Sequence, residues 1–578
     1  MCVVPEGELS RSLHLNSRIE TFLILALGLI YIPLLINKNL YWDDWAWLWA
    51  FWVQGPAMLL KYYVQVSHMG WWLPMATFYR LGGEYAGVLA RIVTISSLLA
   101  SALLLHRIFF KIELTRTISV WIAALYVLSP FYHFRGVMVA SVIDLFLFTY
   151  LLSIWVMSST SWKATVPALI LFCLSLGYET VVMLEPLRIL FVNEFHKDLK
   201  KTVRQCAPVW TLGLVFVILR FTLLKPYGCY NGYNSLNLHV SSIGKCFVMS
   251  VLYYPRAIWL NITQSADLVT WHGLAVLTAL CLVLARVLTY RNPAGLIAGP
   301  AGFNLTLRRV MFGTAITVLG AVPYILAGLY PAPHNFSCRF AVVSIPGALL
   351  VFVSLIAAFR SSFLRTYAYL LFVTVSILFS LQITKWYLYE GAVKRDLIMQ
   401  IHEMTSAGFV EQTKIFVKII PDSTNILILG KRISVCELTV PVNLLRDPKR
   451  PLVFLQEKGK AADQEWTGPC TIDQNDRYPC PGKPVTLEYR LRPEYASVNK
   501  TSYLYLLKSI FETFDEPPRL GLLTDPSGSL SAGQAGRSVR TRVSLRTGGR
   551  IAAGILSISM RFLQHPAYSM ETLRQIRN

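Results

Sequence analysis

Apolar stretches of membrane-spanning length punctuate the first 385 residues. They lie near 19–37, 85–105, 118–134, 137–157, 206–223, 268–288, 309–330, 339–359 and 364–384, and a longer tract covers 164–193. A helix crosses a bilayer with about 20 mostly apolar residues, so most of these stretches predict one span each. The tract from Ala164 to Asn193 is different. As one helix it would be about 45 Å long at 1.5 Å per residue, too long for one crossing and too short for two full ones. Basic residues decide how it is divided. Two short helices hinged near Gly177, Tyr178 and Glu179 put Arg107, Lys111 and Arg116 on one side with Lys197, Lys200, Lys201 and Arg204. Arg286, Arg291, Arg308, Arg309, Arg360 and Arg365 fall there too, and loops rich in Lys and Arg face the cytoplasm. The pattern predicts about eleven spans, an amino terminus inside, and a tail outside from about residue 385.

Beyond residue 385 the periodicity changes. Trp386 to about Ala407 predicts an amphipathic helix leaving the membrane. Short β-like runs follow at Lys414–Ile420, Asn425–Leu429, Leu452–Leu455 and Val485–Tyr489, separated by turn residues. Tyr503 to Phe514 reads as either strand or helix. The domain reading is therefore a transmembrane region over 1–384, an extracytoplasmic α/β domain over 385–516, and a tail over 517–578. That tail is a basic, flexible linker rich in Gly, Ser and Arg, followed by a short surface helix at Ile551–Leu563. The loop carrying Cys470 and Cys480 suits a disulfide in an oxidising compartment, or two free thiols.

Composition agrees with a membrane protein. Of 578 residues, 54% are hydrophobic and 15% charged, with a mean hydropathy of +0.49. A soluble globular chain has roughly a quarter of its residues charged. The net charge of +22 would suggest nucleic acid for a soluble protein, but cytoplasmic loops of a membrane protein account for it, so no nucleic-acid partner is expected. Tryptophan and tyrosine are abundant enough for aromatic belts at both interfaces. The first apolar run lacks a small-residue cleavage site and reads as a span rather than a cleaved leader.

The polar residues that sit awkwardly in such a chain gather on the outer side. Asp43 and Asp44 lie among Tyr41, Trp42 and Trp45 just past the first span, in an outer loop over 38–83 that ends at Glu84. His133, Arg135, Glu179, the long loop 224–266, His334 and Arg339 belong to the same side. Two ionisable residues lie deeper: Arg91, seven residues after Glu84 and so on the same helix face, and Asp144. Ionisable groups at such depth face a protein interior or a water-filled cavity and mark function by default. The plainer alternatives are a solvated aspartate pair, a structural Arg91–Asp144 ion pair, Glu179 snorkelling at a helix end, and Arg339 as an interfacial anchor. His68, His133 and His334 show no metal-ligand spacing.

These motifs and their order resemble the GT-C class of integral-membrane glycosyltransferases, which includes protein O-mannosyltransferases, the aminoarabinose transferase of lipid A and O-antigen glucosyltransferases. In that class an acidic motif follows the first span, where this chain has Asp43 and Asp44. His68 to Pro74, followed by Leu81, Gly82 and Gly83, resembles the later part of that loop, with Trp at the position where relatives often carry an Arg ahead of the Pro. Ser175 to Glu179 is similar to the hinge between two short spans, and Cys338, Arg339 and Phe340 to an Arg–aromatic pair opening a late span. The similarity covers roughly residues 15–385.

The resemblance implies a multi-pass α-helical membrane enzyme that takes a sugar from a polyprenyl-phosphate donor and transfers it outside to a glycan, lipid or protein acceptor. An acceptor hydroxyl benefits from a carboxylate base within hydrogen-bond reach; Asp43 or Asp44 is the candidate. Negative charge building on the departing phosphate is stabilised by arginine; Arg91, Arg339 and Arg135 are the candidates. Glu84, Asp144, Tyr178, Glu179 and His334 would complete the substrate site. Inversion at the sugar carbon is what the class implies. No cofactor is required on this reading, although a divalent cation, magnesium or manganese, would find oxygen ligands in Asp43, Asp44 and Asp144. The compact loops suit the inner membrane of a bacterium. Two other classes share many spans: a glycan polymerase or ligase, which relies on Arg and His in a large late loop, and a lipid-linked-sugar transporter, which usually shows internal repeats.

Overall fold

The computed structural model describes residue 18 and residues 20–406, except 38, 42–43, 45–46, 49–50, 52–54, 112–115, 129, 160, 228–235, 292–302 and 334–335. Beyond 406 it describes 414–420, 453–456, 485–490, Tyr503, Tyr505 and Leu506. Among these residues, seven helices are long and apolar enough to cross a membrane, and three shorter apolar helices accompany them.

The helices are α1 (Glu20–Ile36), α2 (Pro56–Val66), α3 (Met69–Gly82), α4 (Ala86–Lys111), α5 (Arg116–Leu128), α6 (Met138–Met157) and α7 (Thr165–Ser175). Then follow α8 (Glu185–His196), α9 (Leu199–Thr222), α10 (Val240–Arg291), α11 (Phe303–Leu326), α12 (Ile345–Ala357) and α13 (Ser362–Ser406). One continuous apolar core joins α1 through α13, with α4 packed on α6, α6 on α7, α11 on α12, and α10 on α13.

The ambiguous tract 164–193 is broken as expected. α7 ends at Ser175, the chain turns through Gly177 and Tyr178, and a 3-10 turn over Glu179–Leu184 leads into α8. Gly177 is needed there because a Cβ would strike the ring of Phe146 and because Gly70 approaches so closely that its own Cβ would lie 2.6 Å from Gly177 Cα. Gly177→Ala is expected to lower stability by about 1–3 kcal/mol, the usual scale of overpacking, read from the thermal midpoint.

Two expectations change. The segment 224–266 is not a loop throughout: α10 begins at Val240 and runs to Arg291, broken only at Thr270 (φ 67°, ψ 161°). Its first half mixes Lys245, Pro255, Arg256 and Asn261 with apolar residues, which hides a helix from a search for unbroken apolar runs. The stretch after residue 385 is not a separate amphipathic helix. α13 runs straight through it to Ser406, and Tyr387, Leu388, Tyr389, Ala392 and Val393 are buried. At about 1.5 Å per residue its 45 residues reach about 68 Å, far beyond a hydrocarbon core of about 30 Å.

Three strands follow α13: β1 (Lys414–Ile420), β2 (Val453–Gln456) and β3 (Val485–Arg490). They form a parallel sheet in the order β2-β1-β3, with Lys414 opposite Val453 and Ile415 opposite Val485. The expected strand at Asn425–Leu429, Cys470, Cys480 and the tail 517–578 lie outside the described residues.

Ion pairs mark the two ends of the helical body. At one end Glu20 pairs with Arg116 at 2.7 Å and lies 3.6 Å from His106, and Glu194 meets Arg308 and Lys197. The loops bearing the candidate residues gather at the other end.

Candidate functional site

Asp44 is fully buried, and its place follows from two hydrogen bonds. Oδ2 accepts from the main-chain N–H of Tyr41 (3.2 Å) and from that of Met138 (2.9 Å), the first residue of α6. The first bond closes a local turn, with Asp44 N–H donating back to Tyr41 O at 3.1 Å. The second caps a helix from another part of the chain. A helix N-terminus carries unsatisfied N–H groups and a positive dipole end, both of which favour a carboxylate. Tyr79 donates its hydroxyl to Asp44 O at 3.0 Å. Asp43 lies outside the described residues, next in sequence to this anchored residue.

Arg91 is fully buried in α4 and spends its guanidinium on main-chain carbonyls. Nε donates to Gly136 O at 2.8 Å, while Nη1 and Nη2 donate to Asn37 O and Asn39 O. It therefore ties the chain leaving α1 to the turn that enters α6. The same segment is held by Tyr41, whose ring lies under the Arg91 guanidinium (5.3 Å) and whose hydroxyl donates to Tyr387 O (2.7 Å). Burial pushes the Tyr41 phenol up to about 12, so it keeps the proton it donates.

The Arg91–Asp144 ion pair does not form: Arg91 holds main-chain carbonyls, and the charge acting on Asp144 is that of Arg135. Asp144 is 1% exposed, and neither of its carboxylate oxygens has a hydrogen-bond partner among the described residues. The cation within its electrostatic reach is Arg135. Arg135 in turn caps the C-terminus of α5, donating Nη1 to Val127 O (2.8 Å) and to the Tyr31 hydroxyl (3.0 Å), and Nη2 to Tyr126 O (3.3 Å). Basic side chains suit that position because the last carbonyls of a helix lack partners. Glu84 falls in a tight 3-10 turn, Gly83–Tyr85, ahead of α4 rather than on it.

The hinge meets the first loop through His68 and Trp71, and α9 through Arg220. Glu179 accepts from Arg220 Nε at 2.5 Å with Oε2, and Oε1 lies 3.2 Å from His68 Nδ1. His68 stacks on Trp71 at 5.1 Å, and Trp71 Nε1 donates to Gly177 O at 2.7 Å. Glu179 is thus a junction between α9 and the α2–α3 corner, not a lone residue at a helix end. Burial alone would raise its pKa; the hydrogen bond and charge of His68 and the charge of Arg220 outweigh that and hold it below the ordinary glutamate value.

A depressed carboxylate contributes stability that is present above its unfolded value and lost as pH falls through the folded one. Glu179→Gln is expected to cost about 2 kcal/mol at neutral pH, the scale of hydrogen bonds to charged groups. The difference from wild type should shrink as the protein is acidified below the ordinary glutamate range. Thermal midpoints measured across that range check the sign.

Tyr178 adds a third contact. Its hydroxyl shares a hydrogen bond with Tyr324 and donates to Arg339 O at 3.3 Å. Arg339 lies over the Phe340 ring at 5.1 Å, within the 3-10 segment Phe336–Ser344. His334 lies outside the described residues. Beside this segment an open groove of about 550 Å³ is lined by Leu252, Pro255, Arg256, Trp259, Thr263 and Pro333.

Several sequence-predicted residues are therefore brought to one end of the body: Asp44, Arg91 and Arg135 around the entry to α6, and Tyr178, Glu179 and Arg339 around the hinge. His68 enters as a hinge partner. Arg220, which pairs with Glu179, and Glu390 and Lys394, which pair on α13 with the Lys394 ammonium over the Tyr41 ring, are participants the sequence did not single out. The Glu390–Lys394 spacing of four on a helix is a legible ion-pair signal; Arg220 has no local signal at all. Among the described residues, no three His, Cys, Asp or Glu side chains gather as a metal site. The chain matches no family model, no curated protein and no solved structure.

Proposed function

We propose that this protein is a membrane glycosyltransferase that moves a sugar from a polyprenyl-phosphate donor to a glycan, lipid or protein acceptor. One observation carries the reading. Segments more than a hundred residues apart in sequence, each chosen for its resemblance to a motif of such enzymes, meet at one end of the helical body. α3 touches the Asp44 turn through Tyr79 and the hinge through Trp71, His68 beside it meets Glu179, and Tyr178 of the hinge meets the Arg339 segment. Basic residues of the opposite end support an orientation with this site outside and about eleven spans in total, the short helices α1, α5, α7 and α8 included. The parallel sheet would belong to an extracytoplasmic α/β domain.

The roles divide by environment. Asp44, buried and committed to two main-chain donors, fixes the loop, and Asp43 serves as base for the acceptor hydroxyl. The hydroxyl proton passes to the Asp43 carboxylate as the acceptor oxygen attacks the sugar carbon, and the bond to the phosphate breaks with its electrons on the phosphate. Arg339 supplies the cation for that phosphate. Arg91 and Arg135, whose donors already hold main-chain carbonyls, keep the loops in place. The groove beside Pro333, apolar but for Arg256 and Thr263, suits the lipid tail.

The test is release of labelled sugar from a panel of polyprenyl-phosphate sugars by the purified protein, with slow donor hydrolysis as readout. Turnover of one donor by wild type supports the reading. Failure to turn over or bind any donor removes it.

A further inference from the structure

We propose that the far half of α13, through Tyr387 and Lys394, is the positioning element of the turn that holds Tyr41 and Asp44. About 350 residues separate the two in sequence, yet the contacts are dense. Tyr41 is enclosed on several sides: Asn37 Nδ2 donates to its hydroxyl at 2.6 Å, and that hydroxyl donates to Tyr387 O at 2.7 Å. The Tyr387 ring meets it edge-on at 5.0 Å, and Lys394 Nζ lies 5.1 Å from its ring centre. Among the described residues, Tyr41 is also one of two whose N–H groups hold the Asp44 carboxylate. The second, Met138, follows a turn that α13 braces as well. Tyr387 donates to His133 O at 3.2 Å, and a Cβ on Gly136 would lie 2.6 Å from the Tyr387 ring.

The charge at this contact is costly to place and is compensated. Lys394 is 2% exposed and pairs with Glu390, 3% exposed, one turn earlier on the same helix. A buried ion pair of this kind is a weak source of stability, because desolvation offsets much of the attraction. Its use here is directional: the ammonium is held over the Tyr41 ring, where a cation is attracted by the π-face. Gly391, between the two charged residues, leaves room for the Asn39 side chain, which a Cβ would strike. α13 then runs to Ser406, eight residues before β1 begins. The element that locks the loop is therefore the one that precedes the parallel sheet in the chain.

The activity readout rests on the transferase reading, but a structural readout does not. The full-length protein is compared with the double variant Glu390→Gln/Lys394→Met, which removes both charges and leaves none unpaired. Lys394→Arg keeps the cation, and Gly391→Ala perturbs the contact from the α13 side. Amide hydrogen exchange over residues 37–48 is expected to rise about thirtyfold in the double variant, the scale of losing one desolvated cation–π contact. Gly391→Ala should raise it as well, and Lys394→Arg should keep it near wild type. Donor turnover is expected to fall in kcat at unchanged KM in the double variant and to recover with Lys394→Arg.

Unchanged exchange over 37–48 in folded double and Gly391→Ala variants overturns the proposal. So does a rise in KM with kcat intact, since that would place the effect on donor binding. If wild type turns over no donor, the transferase reading falls while the exchange measurement still decides whether α13 holds the loop.

Discussion

Asp43→Asn is expected to abolish sugar transfer while leaving the fold intact, and Asp44→Ala to do damage of a different kind. A positioned general base contributes about 10²–10⁴-fold to a rate, so donor turnover should fall by that factor in Asp43→Asn with the thermal midpoint of wild type. In Asp44→Ala the carboxylate that accepts from Tyr41 and Met138 is gone. Two buried main-chain donors then lose their partner, and a buried unsatisfied group costs about 1–3 kcal/mol each. A clear loss of thermal midpoint should accompany any loss of turnover there. Turnover per folded molecule, measured beside thermal unfolding, separates the two. Wild-type turnover in Asp43→Asn would remove that residue from the chemistry, and unchanged stability in Asp44→Ala would remove the capping role.

How much of this was legible in sequence depends on what carries each contact. The break at Gly177 was legible because charge and helix length act over long stretches, and a 30-residue apolar tract between basic loops has few solutions. The strands at Lys414–Ile420 and Val485–Arg490 were legible from β-branched and aromatic runs between turn residues. The first half of α10 was not, because Lys245 and Arg256 interrupt the apolar pattern that a span search follows. Candidate residues were found by type and depth, and Asp44, Tyr178 and Glu179 do lie at junctions. Their partners were hidden for a physical reason. Asp44 binds N–H groups, Arg91 and Arg135 bind carbonyls, and Tyr41 donates to the Tyr387 carbonyl. Every residue but proline carries the same main-chain donor and every residue the same acceptor. Such contacts leave no trace in residue identity, and only the folded path of the chain selects among them.

Arg91→Lys is the substitution expected to cost the fold most. Lysine keeps the charge and much of the length, so an argument from charge alone would predict little change. The guanidinium, however, holds three carbonyls at once, those of Asn37, Asn39 and Gly136, from the fully buried interior of α4. An ammonium is a single point at the end of a flexible stem and does not reproduce the planar fork. At least two of the three carbonyls would lose their donor in a site closed to water, at about 1–3 kcal/mol each. The expected loss is therefore about 2–6 kcal/mol, enough to unfold a marginally stable protein. Its effect should also be local before it is global. The Asn37–Asn39 segment leads into Tyr41 and Asp44, and Gly136 leads into Met138, so both donors to the Asp44 carboxylate hang from the same clamp. Thermal unfolding in detergent, together with hydrogen exchange over residues 37–48 and 134–140, measures both parts. Faster exchange confined to those two segments below the unfolding transition is the expected signature. A stable Arg91→Lys protein with unchanged exchange there would mean that the carbonyls find other donors and that Arg91 is not what holds the entry to α6.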